Sequence, residues 1–335
     1  GKLRNLTPDE VNQFFEGNCS NLDKEKGGNQ IAGLEDIIAR PFTKIINSSD
    51  ITIDFRSLLG KGEFGLVYKG DFYGLVVAVK TVKPSADIEM FKAILEEVKI
   101  MDYIGEHPNI IKFLGAETSN IQKKEIWIVL ELSSKGNLRE YLRNFQQRND
   151  IHISENNKYD HELWTHTLIS WCQQIACAMK YLEELKVIHG DLAARNILVF
   201  DNDKIKISDF GLSKRLYENP LYRKKTRGKI PWRWLALESL KFQEFSHKSD
   251  VWSFGITAWE IFTFGQVPYN EFINCSSDFV KQLESGLRLR RLEIGGDEIY
   301  EVLLKCWSAN KNDRPSFTAL QQYFGDLSGI PTDYI

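Results

Sequence analysis

The sequence predicts an α+β protein of two lobes, because short strand patterns dominate its first part and long helical patterns its second. From Ile51 to about Leu132 the apolar runs are short and rich in β-branched residues, and only the stretch 88–104 has helical spacing. After Gly136 long helical patterns take over. The 335 residues, 42% hydrophobic and 27% charged, are enough for about two domains with a sizeable core.

The first predicted element is a helix near the start of the chain. Thr7–Glu10 offers an N-cap threonine, a proline at the first helical position and a capping-box glutamate. Val11, Phe14 and Phe15 then give the helix an apolar stripe. Residues up to about 48 otherwise lack a core pattern. The helix is interpreted either as a tail helix that packs on its own domain or as an autoinhibitory juxtamembrane segment.

The strand-rich part is predicted to contain a hairpin and one helix. Leu66–Tyr68 and Val76–Val79 flank a turn at Gly70–Gly74, a pattern that indicates a β-hairpin. Ile88–Ile104 places apolar residues at the spacing of one helical face.

The second part is predicted to be mostly helical. Helical patterns run over Leu163–Glu184 and Asp250–Phe262. Residues 144–161 are polar and charged, and they are predicted to form a surface insertion loop.

Composition excludes several classes of protein. The formal net charge of −3 and the pI of about 6.2 give no bulk field that would recruit nucleic acid or anionic lipid. No run approaches the ~18 apolar residues needed to span a bilayer, and no signal peptide is recognised. The cysteines lack a Cys-x-x-Cys pair, and they fit buried thiols in a reducing compartment. They are Cys19, Cys172, Cys177, Cys275 and Cys306.

A glycine-rich segment at 60–67 fits the pattern G-x-G-x-x-G-x-V. A similar pattern opens dinucleotide-binding folds, but there a helix follows and an acidic residue lies about 20 positions on. Here a strand pattern follows, and Lys80 stands at about that position. Glycines allow a turn to lie close to phosphate oxygens. The segment indicates a phosphate-binding hairpin, with an ordinary glycine-rich hairpin as the alternative when it is considered alone.

The segment His189–Asn196, followed by Ser208–Gly211, carries the chemistry. It places Asp191, Asn196 and Asp209 within a short reach, the set that holds a hydroxyl nucleophile, Mg²⁺ and a triphosphate. Oxygen ligands of this kind suit Mg²⁺. The alternative, that Asp-Phe-Gly is a surface turn, is disfavoured because the strand pattern 205–207 precedes it.

With these motifs, the chain from Ile51 to about Leu327 resembles the protein kinases, and Ala193–Arg195 resembles the tyrosine kinases. Lys229–Trp234 resembles the substrate platform of the tyrosine kinases, which implies that the region of Pro231 packs beside the substrate phenol. The residues Ser134–Leu142 and the insert after them look like the fibroblast, vascular endothelial and platelet-derived growth factor receptor group. Three further segments match the kinase pattern, namely Ala236–Glu238, Asp250–Gly255 and Asp313–Pro315.

The resemblance implies an ATP site. Lys80 contacts the α and β phosphates and is held by a glutamate of the 88–104 helix. Glu97 matches the family spacing, and Glu96 is the alternative. Leu130 marks the entrance to the hinge that binds adenine. The implied nucleotide-binding residues are Gly60, Lys61, Gly62, Gly65, Val67, Ala78, Lys80, Glu131, Ser133 and Leu198.

The resemblance also implies catalytic roles. Asp191 accepts or orients the proton of the substrate hydroxyl, and Asn196 and Asp209 bind Mg²⁺. Serine/threonine kinases have a lysine where this chain has Ala193, and here Arg195 replaces it two residues further on.

Two structural roles are implied as well. Asp250 is expected to hold the backbone of the catalytic loop. Glu238 is expected to pair with Arg314, even though Leu237 replaces the usual proline before the glutamate.

Gly190 departs from the family pattern, which has arginine there to pair with a phosphate on the activation segment. The kinase is expected either to depend less on that switch or to use another cation, namely Arg215, Arg223, Lys224 or Arg227. Tyr222 matches a receptor kinase autophosphorylation site, and Tyr217 is a weaker candidate.

The expected organisation is a juxtamembrane-like segment 1–48, a kinase domain 49–328 and a tail 329–335. The N-lobe is expected at 49–132 and the C-lobe at 133–328, with the insert at 144–161 inside it.

The expected function is transfer of the γ-phosphoryl group of Mg-ATP to tyrosines of proteins, including the kinase itself in trans. The chain is expected to be the intracellular part of a single-pass receptor at the plasma membrane that forms a homodimer on activation and recruits phosphotyrosine-binding adaptors. A cytoplasmic enzyme is the alternative location. No nucleic-acid partner is expected. The rival functions are a pseudokinase or scaffold that binds nucleotide without catalysis, and a serine/threonine kinase.

Overall fold

The chain forms two compact units, described here from a computed structural model. The first comprises Gly1–His107 and Ile111–Ser133, and the second comprises Pro108–Ile110 and Ser134–Ile335. A β-sheet with helices makes up the first unit and the second is mostly helical, which confirms the predicted α+β fold class. The structure describes residues 4–17, 37, 39–62, 65–83, 86–148, 158–211 and 231–329.

The first unit is built on a six-stranded sheet of order β1-β5-β6-β4-β3-β2. Neighbouring strands are antiparallel except β1, which adds a parallel edge beside β5. The strands are β1 (Ile45–Ile46), β2 (Ile51–Lys61), β3 (Gly65–Phe72), β4 (Leu75–Val82), β5 (Phe113–Glu117) and β6 (Trp127–Glu131).

The predicted hairpin is present as β3 and β4, but its turn is tighter than the sequence indicated. Only Tyr73 and Gly74 lie between the strands, and residues 70–72 continue β3. Both turn residues have positive φ, 52° and 82°. A two-residue turn of this kind matches the twist of the strands it joins, so β3 pairs along its whole length.

Helix α2, Ile88–Ile104, is capped at its N-terminus by Asp87, whose side chain accepts a hydrogen bond from the Met90 N–H. The apolar spacing read from the sequence predicts the buried face, which includes Phe91, Ile94 and Val98. This helix brings Glu97 into the interior of the first unit, where the side chain is 3% exposed.

Helix α1, Pro8–Glu16, has the predicted capping box, since Thr7 accepts from the Glu10 N–H and Glu10 accepts from the Thr7 N–H. It packs on helix α2 of its own unit. Glu10 is 2.8 Å from Lys92 Nζ, and Lys99 Nζ donates to the Gln13 carbonyl at 3.2 Å.

The second unit packs its helices around α6 (His247–Phe262), which is buried on nearly every side. Among the described residues, none of the helices is both long and apolar enough to cross a membrane. The helices are α3 (Leu138–Arg148), α4 (Lys158–Glu184), α5 (Leu237–Phe242), α6 (His247–Phe262), α7 (Ser277–Glu284), α8 (Gly296–Cys306) and α9 (Phe317–Ser328). Strands β7 (Ile197–Val199) and β8 (Ile205–Ile207) form a small antiparallel pair. The segment 189–196 directly precedes β7, and the segment 208–211 directly follows β8.

The prediction of an insertion loop at 144–161 is wrong at both ends. Helix α3 continues to Arg148 and helix α4 already begins at Lys158. The apolar face of α3 extends into the second half of the helix, where the Phe145 ring packs against the Trp164 ring at 3.9 Å, centroid to centroid. The polar composition of the segment led to the wrong prediction, because the packing face of this helix is narrow. Residues 149–157 lie outside the described residues.

An ion pair joins two distant segments inside the second unit. Arg314 Nη1 and Nη2 donate to the two carboxylate oxygens of Glu238 at 2.6 and 2.8 Å, and the arginine side chain is 0% exposed. Arg314 also donates to the carbonyls of Ser308 and Lys248. Removing one partner of such a pair leaves the other charged and buried.

Glu238→Ala is therefore expected to lower the free energy of unfolding by about 3–5 kcal/mol. The exposed pair Arg290–Glu293 gives a matched control, and Glu293→Ala is expected to cost less than about 1 kcal/mol. Urea denaturation followed by circular dichroism measures both. Equal losses for the two variants would contradict the interpretation.

Candidate active site

The described residues of the glycine-rich segment lie at the end of β2 and the start of β3. The Gly62 N–H donates to the Gly65 carbonyl at 2.9 Å, and Lys83 Nζ donates to the Gly62 carbonyl at 2.7 Å. A Cβ at Gly65 would lie 2.0 Å from the Thr81 carbonyl oxygen, so only glycine allows β3 to approach β4 here. At Gly60 a Cβ would meet nothing within 4 Å. That open space leaves room for a group on the hairpin.

Lys80 lies on β4 opposite Val67 of β3. Its Nζ donates to both carboxylate oxygens of Glu97, at 2.7 and 3.0 Å. The lysine side chain is 15% exposed and the glutamate 3%. The buried carboxylate thus fixes the ammonium group in one place while leaving part of it accessible.

The other expected nucleotide-site residues of the first unit lie on neighbouring strands. Ala78 is on β4 opposite Leu130 of β6. The Glu131 carboxylate accepts from the Lys112 N–H at 2.6 Å, so it is engaged within its own unit. Lys61 ends β2, and Ser133 ends the first unit.

In the second unit, Asp191 is held by two side chains of its own loop. Arg195 Nη2 donates to one carboxylate oxygen, and Asn196 Nδ2 donates to the other at 2.8 Å. The Asp191 side chain is 15% exposed. Burial raises the pKa of this carboxyl to about 6 and the Asp209 charge adds to the shift, while Arg195 and Asn196 oppose it. A pKa near neutrality is suited to a group that handles a proton at physiological pH.

His189 connects this loop to the segment that carries Asp209. Its Nδ1 accepts from the Asp191 N–H at 3.2 Å, which leaves the proton on Nε2, 3.2 Å from the Ser208 carbonyl. Burial lowers the pKa of His189 to about 4, so the ring is neutral. The Phe210 ring packs on it at 5.2 Å, centroid to centroid. The histidine therefore ties the two segments together without adding a charge.

The oxygen atoms of Asn196 and Asp209 fit a hard cation. Asn196 Nδ2 donates to the Asp191 carbonyl and carboxylate at 2.7 and 2.8 Å, which fixes the amide and leaves Oδ1 as its acceptor atom. Asp209 has a φ of 65°, unusual for a residue other than glycine. Among the residues described, no cluster of three or more His, Cys, Asp or Glu side chains could hold a metal. Mg²⁺ takes few protein oxygens alongside phosphates and water, so two ligands suffice.

Asp250, at the start of α6, accepts from the backbone N–H groups of both His189 and Gly190, each at 2.9 Å. The side chain is 1% exposed, and its burial raises the pKa of the carboxyl to about 7. Gly190 has a φ of 77°, in the region that favours glycine. The glycine thus suits the backbone path that these two hydrogen bonds hold.

Sequence reasoning missed three further polar residues of α6. The Ser253 hydroxyl donates to the Trp234 carbonyl at 2.8 Å, Thr257 Oγ1 donates to the Leu192 carbonyl at 3.2 Å, and Glu260 accepts from the Ala194 N–H at 3.0 Å. With Asp250 they recur at the spacing of one helical face. Buried polar residues at that spacing in an otherwise apolar helix were the signal that could have found them.

Of the remaining expected residues, only some lie among the described residues. Leu198 lies on β7 opposite Lys206 and forms an isolated bridge with Asn137. The candidate phosphorylation sites Tyr222 and Tyr217 lie outside the described residues, as do the alternative cations at 215–227.

The lysine–glutamate pair, the glycine-rich hairpin and the loop that carries Asp191, Arg195 and Asn196 each point to the same protein family. The family profile of the protein tyrosine and serine/threonine kinases matches residues 53–324, and the chain belongs to that family.

Curated relatives of the chain are receptor tyrosine kinases. Identity is 33% to the vascular endothelial growth factor receptor 1 of Gallus gallus, covering 80% of this chain and 25% of that protein. It is 36% to the fibroblast growth factor receptor homolog 1 of Drosophila melanogaster, covering 83% and 38%. It is also 36% to the epidermal growth factor receptor of Apis mellifera, covering 83% and 20%. The chain thus spans well under half the length of these relatives.

Gly190→Ala is expected to lower the free energy of unfolding by about 1–2 kcal/mol, because a Cβ is unfavourable at this φ. Gly60→Ala is the control, since Gly60 has open space around its Cβ position and is not among the positive-φ residues. Its expected change is below about 1 kcal/mol. Thermal or urea unfolding measures both. An unchanged Gly190→Ala protein would show that the loop does not require glycine.

Proposed function

We propose that this chain is a protein tyrosine kinase domain that transfers the γ-phosphoryl group of Mg-ATP to tyrosine hydroxyls. The observation that carries the proposal is the Asp191 carboxylate, held at one oxygen by Arg195 and at the other by Asn196. Arg195 is the residue that distinguishes the tyrosine kinase pattern from the serine/threonine pattern. It binds the proposed catalytic aspartate directly.

In the proposed mechanism Asp191 orients the substrate tyrosine hydroxyl and takes up its proton as the phosphoryl group is transferred. The two hydrogen bonds fix the plane of the carboxylate, so one geometry is presented to the hydroxyl. Phosphoryl transfer leaves little covalent work to the protein, and rate enhancement comes from positioning and charge neutralisation.

Lys80 is proposed to neutralise the α and β phosphates, with Glu97 holding it in position. The backbone of Gly60, Gly62 and Gly65 is proposed to lie along the phosphates. Val67 and Ala78 are proposed to contact the adenine, and the backbone from Glu131 to Ser133 to bind its edge. Lys61 completes the proposed nucleotide site.

Asn196 and Asp209 are proposed to hold Mg²⁺ through Oδ1 and the carboxylate. The ion, when bound, neutralises charge on the phosphates. His189 joins the segments that carry the two proposed ligands, because it bonds to the Asp191 N–H in the loop of Asn196 and to the Ser208 carbonyl next to Asp209.

Two rival functions are disfavoured, the first by this geometry and the second by the sequence. A pseudokinase has no need for an intact Lys80–Glu97 pair or for a carboxylate held at both oxygens. A serine/threonine kinase is disfavoured by Ala193 at the position where those enzymes have lysine.

The relatives named above support a wider context. We propose that the chain is the cytoplasmic portion of a single-pass receptor that forms a homodimer on activation, phosphorylates itself in trans and recruits phosphotyrosine-binding adaptors. The proposed domain boundaries are 49–328, close to the matched range 53–324.

Asp191→Asn is expected to lower phosphorylation of a poly-Glu/Tyr peptide by ~10³-fold or more while leaving ATP affinity nearly unchanged, because the proton acceptor is lost and the phosphate-binding groups remain. Lys80→Met should cripple transfer as well. Lys69→Met, on the exposed side of neighbouring β3, is the control and should retain wild-type activity. Radiolabel transfer and ATP titration measure these effects. Wild-type rates in both active-site variants would refute the assigned roles.

Phosphoamino-acid analysis of the autophosphorylated protein distinguishes the kinase classes. Phosphotyrosine is the expected product. Phosphoserine alone would favour the serine/threonine alternative, and no phosphate at all would favour the pseudokinase.

Regulation is proposed to differ from that of kinases with arginine at position 190. Because Gly190 cannot pair with a phosphate, dephosphorylated protein and Tyr222→Phe are each expected to retain activity within about threefold of the phosphorylated wild type. Initial rates before and after phosphatase treatment measure this. A large loss confined to the dephosphorylated and Tyr222→Phe forms would instead indicate that another cation, such as Arg223, pairs with the phosphate.

A further inference from the structure

Glu260 is a buried carboxylate that the proposed mechanism does not use. It lies near the end of α6 and is 0% exposed. Its Oε2 accepts from the Ala194 N–H at 3.0 Å and from the Trp234 indole N–H at 2.8 Å. Its Oε1 has no hydrogen-bond partner among the described residues. Burying a carboxylate is unfavourable unless it is well bonded, so these two N–H groups are the reason this one is tolerated.

Trp234 is held by three contacts. The indole N–H bonds to Glu260, the carbonyl accepts from the Ser253 hydroxyl at 2.8 Å, and the ring lies 4.4 Å from the Arg195 guanidinium carbon. Pro231 lies three residues before it, in the segment Lys229–Trp234, which resembles the tyrosine kinase substrate platform and is expected to pack beside the substrate phenol. The position of this segment is therefore set by side chains from α6 and from the catalytic loop.

These contacts close a ring of interactions. Asp191 is bonded to Arg195, Arg195 stacks on Trp234, Trp234 donates to Glu260, and Glu260 accepts from Ala194, which lies between Asp191 and Arg195 in the chain. A single oxygen atom thus joins the loop that holds the reacting carboxylate to the segment expected beside the substrate.

We infer that Glu260 is a positioning residue that sets the substrate-tyrosine segment relative to Asp191, by holding Trp234 and the catalytic loop on one carboxylate oxygen. This inference rests on the proposed function, because it assigns the geometry needed for a protein substrate. It concerns the acceptor tyrosine and leaves nucleotide binding to other residues.

Trp234→Phe tests the inference because phenylalanine retains an aromatic ring under Arg195 but is smaller and cannot donate the hydrogen bond to Glu260. We expect kcat/KM for a tyrosine peptide to fall roughly 10-fold or more, with KM for ATP and the rate of ATP hydrolysis without peptide within about twofold of wild type. A purely structural role would lower both activities together.

Trp259→Phe is the matched control. Trp259 is the neighbour of Glu260 on α6, and its indole N–H donates to the Arg290 carbonyl at 3.0 Å, away from the catalytic loop. The control loses the same kind of buried hydrogen bond, and its kcat/KM is expected to remain within about twofold of wild type.

Substitutions at Glu260 complete the experiment. Glu260→Gln retains an oxygen that can accept both N–H groups and is expected to stay within about threefold of wild type. In Glu260→Ala both N–H groups lose their acceptor, so adding Trp234→Phe should cause less than about a twofold further loss of peptide kcat/KM. If Glu260→Ala does not fold, the comparison of Trp234→Phe with Trp259→Phe decides alone.

The results separate the two proposals. A wild-type protein that phosphorylates no tyrosine peptide overturns the proposed function and this inference with it. An active wild type with Trp234→Phe at wild-type kcat/KM, or with peptide transfer and ATP hydrolysis reduced equally, overturns the role of Glu260 alone. If the losses of peptide kcat/KM from Glu260→Ala and Trp234→Phe multiply in the double variant, the role of Glu260 is likewise overturned.

Discussion

The catalytic loop depends on the polar face of one buried helix. Asp250 holds the N–H groups of His189 and Gly190, Thr257 holds the Leu192 carbonyl, and Glu260 holds the Ala194 N–H. Unpaired backbone groups in a buried loop are costly, and a loop has no regular backbone hydrogen bonding of its own to satisfy them. Side chains of helix α6 supply the hydrogen-bond partners instead. Its rigidity is what allows a short irregular segment to hold Asp191 in one geometry.

Charges inside the molecule are tolerated because each is bonded at more than one point. Lys80 meets both oxygens of Glu97, and Arg314 meets both oxygens of Glu238. Such bidentate contacts offset a desolvation penalty that a single contact would not. The two pairs serve different ends, since Arg314 is fully buried and braces the second unit, whereas Lys80 remains partly accessible.

Gly190 illustrates how one residue affects both conformation and regulation. An arginine there would supply a partner for a phosphate, and the glycine instead suits a backbone φ of 77°. The hydrogen bonds from the His189 and Gly190 N–H groups to Asp250 then maintain the loop conformation. This is why the proposed kinase is expected to rely little on a phosphorylated activation segment.

The sequence alone determined the α+β class, the helix Ile88–Ile104 and the capping box at Thr7, because these depend on local periodicity and on neighbours a few residues apart. It also brought Asp191, Arg195 and Asn196 together, since they share one short loop. Local pattern failed at 144–161, where a narrow apolar face was hidden among polar residues.

Only the tertiary structure decided which groups meet across long separations. It showed that Lys80 bonds to Glu97, where the sequence had left Glu96 as an alternative, and it placed Trp234 on Glu260 and gave α6 its polar face. No local spacing encodes those contacts, because they arise from how helices and strands pack once their apolar faces are buried.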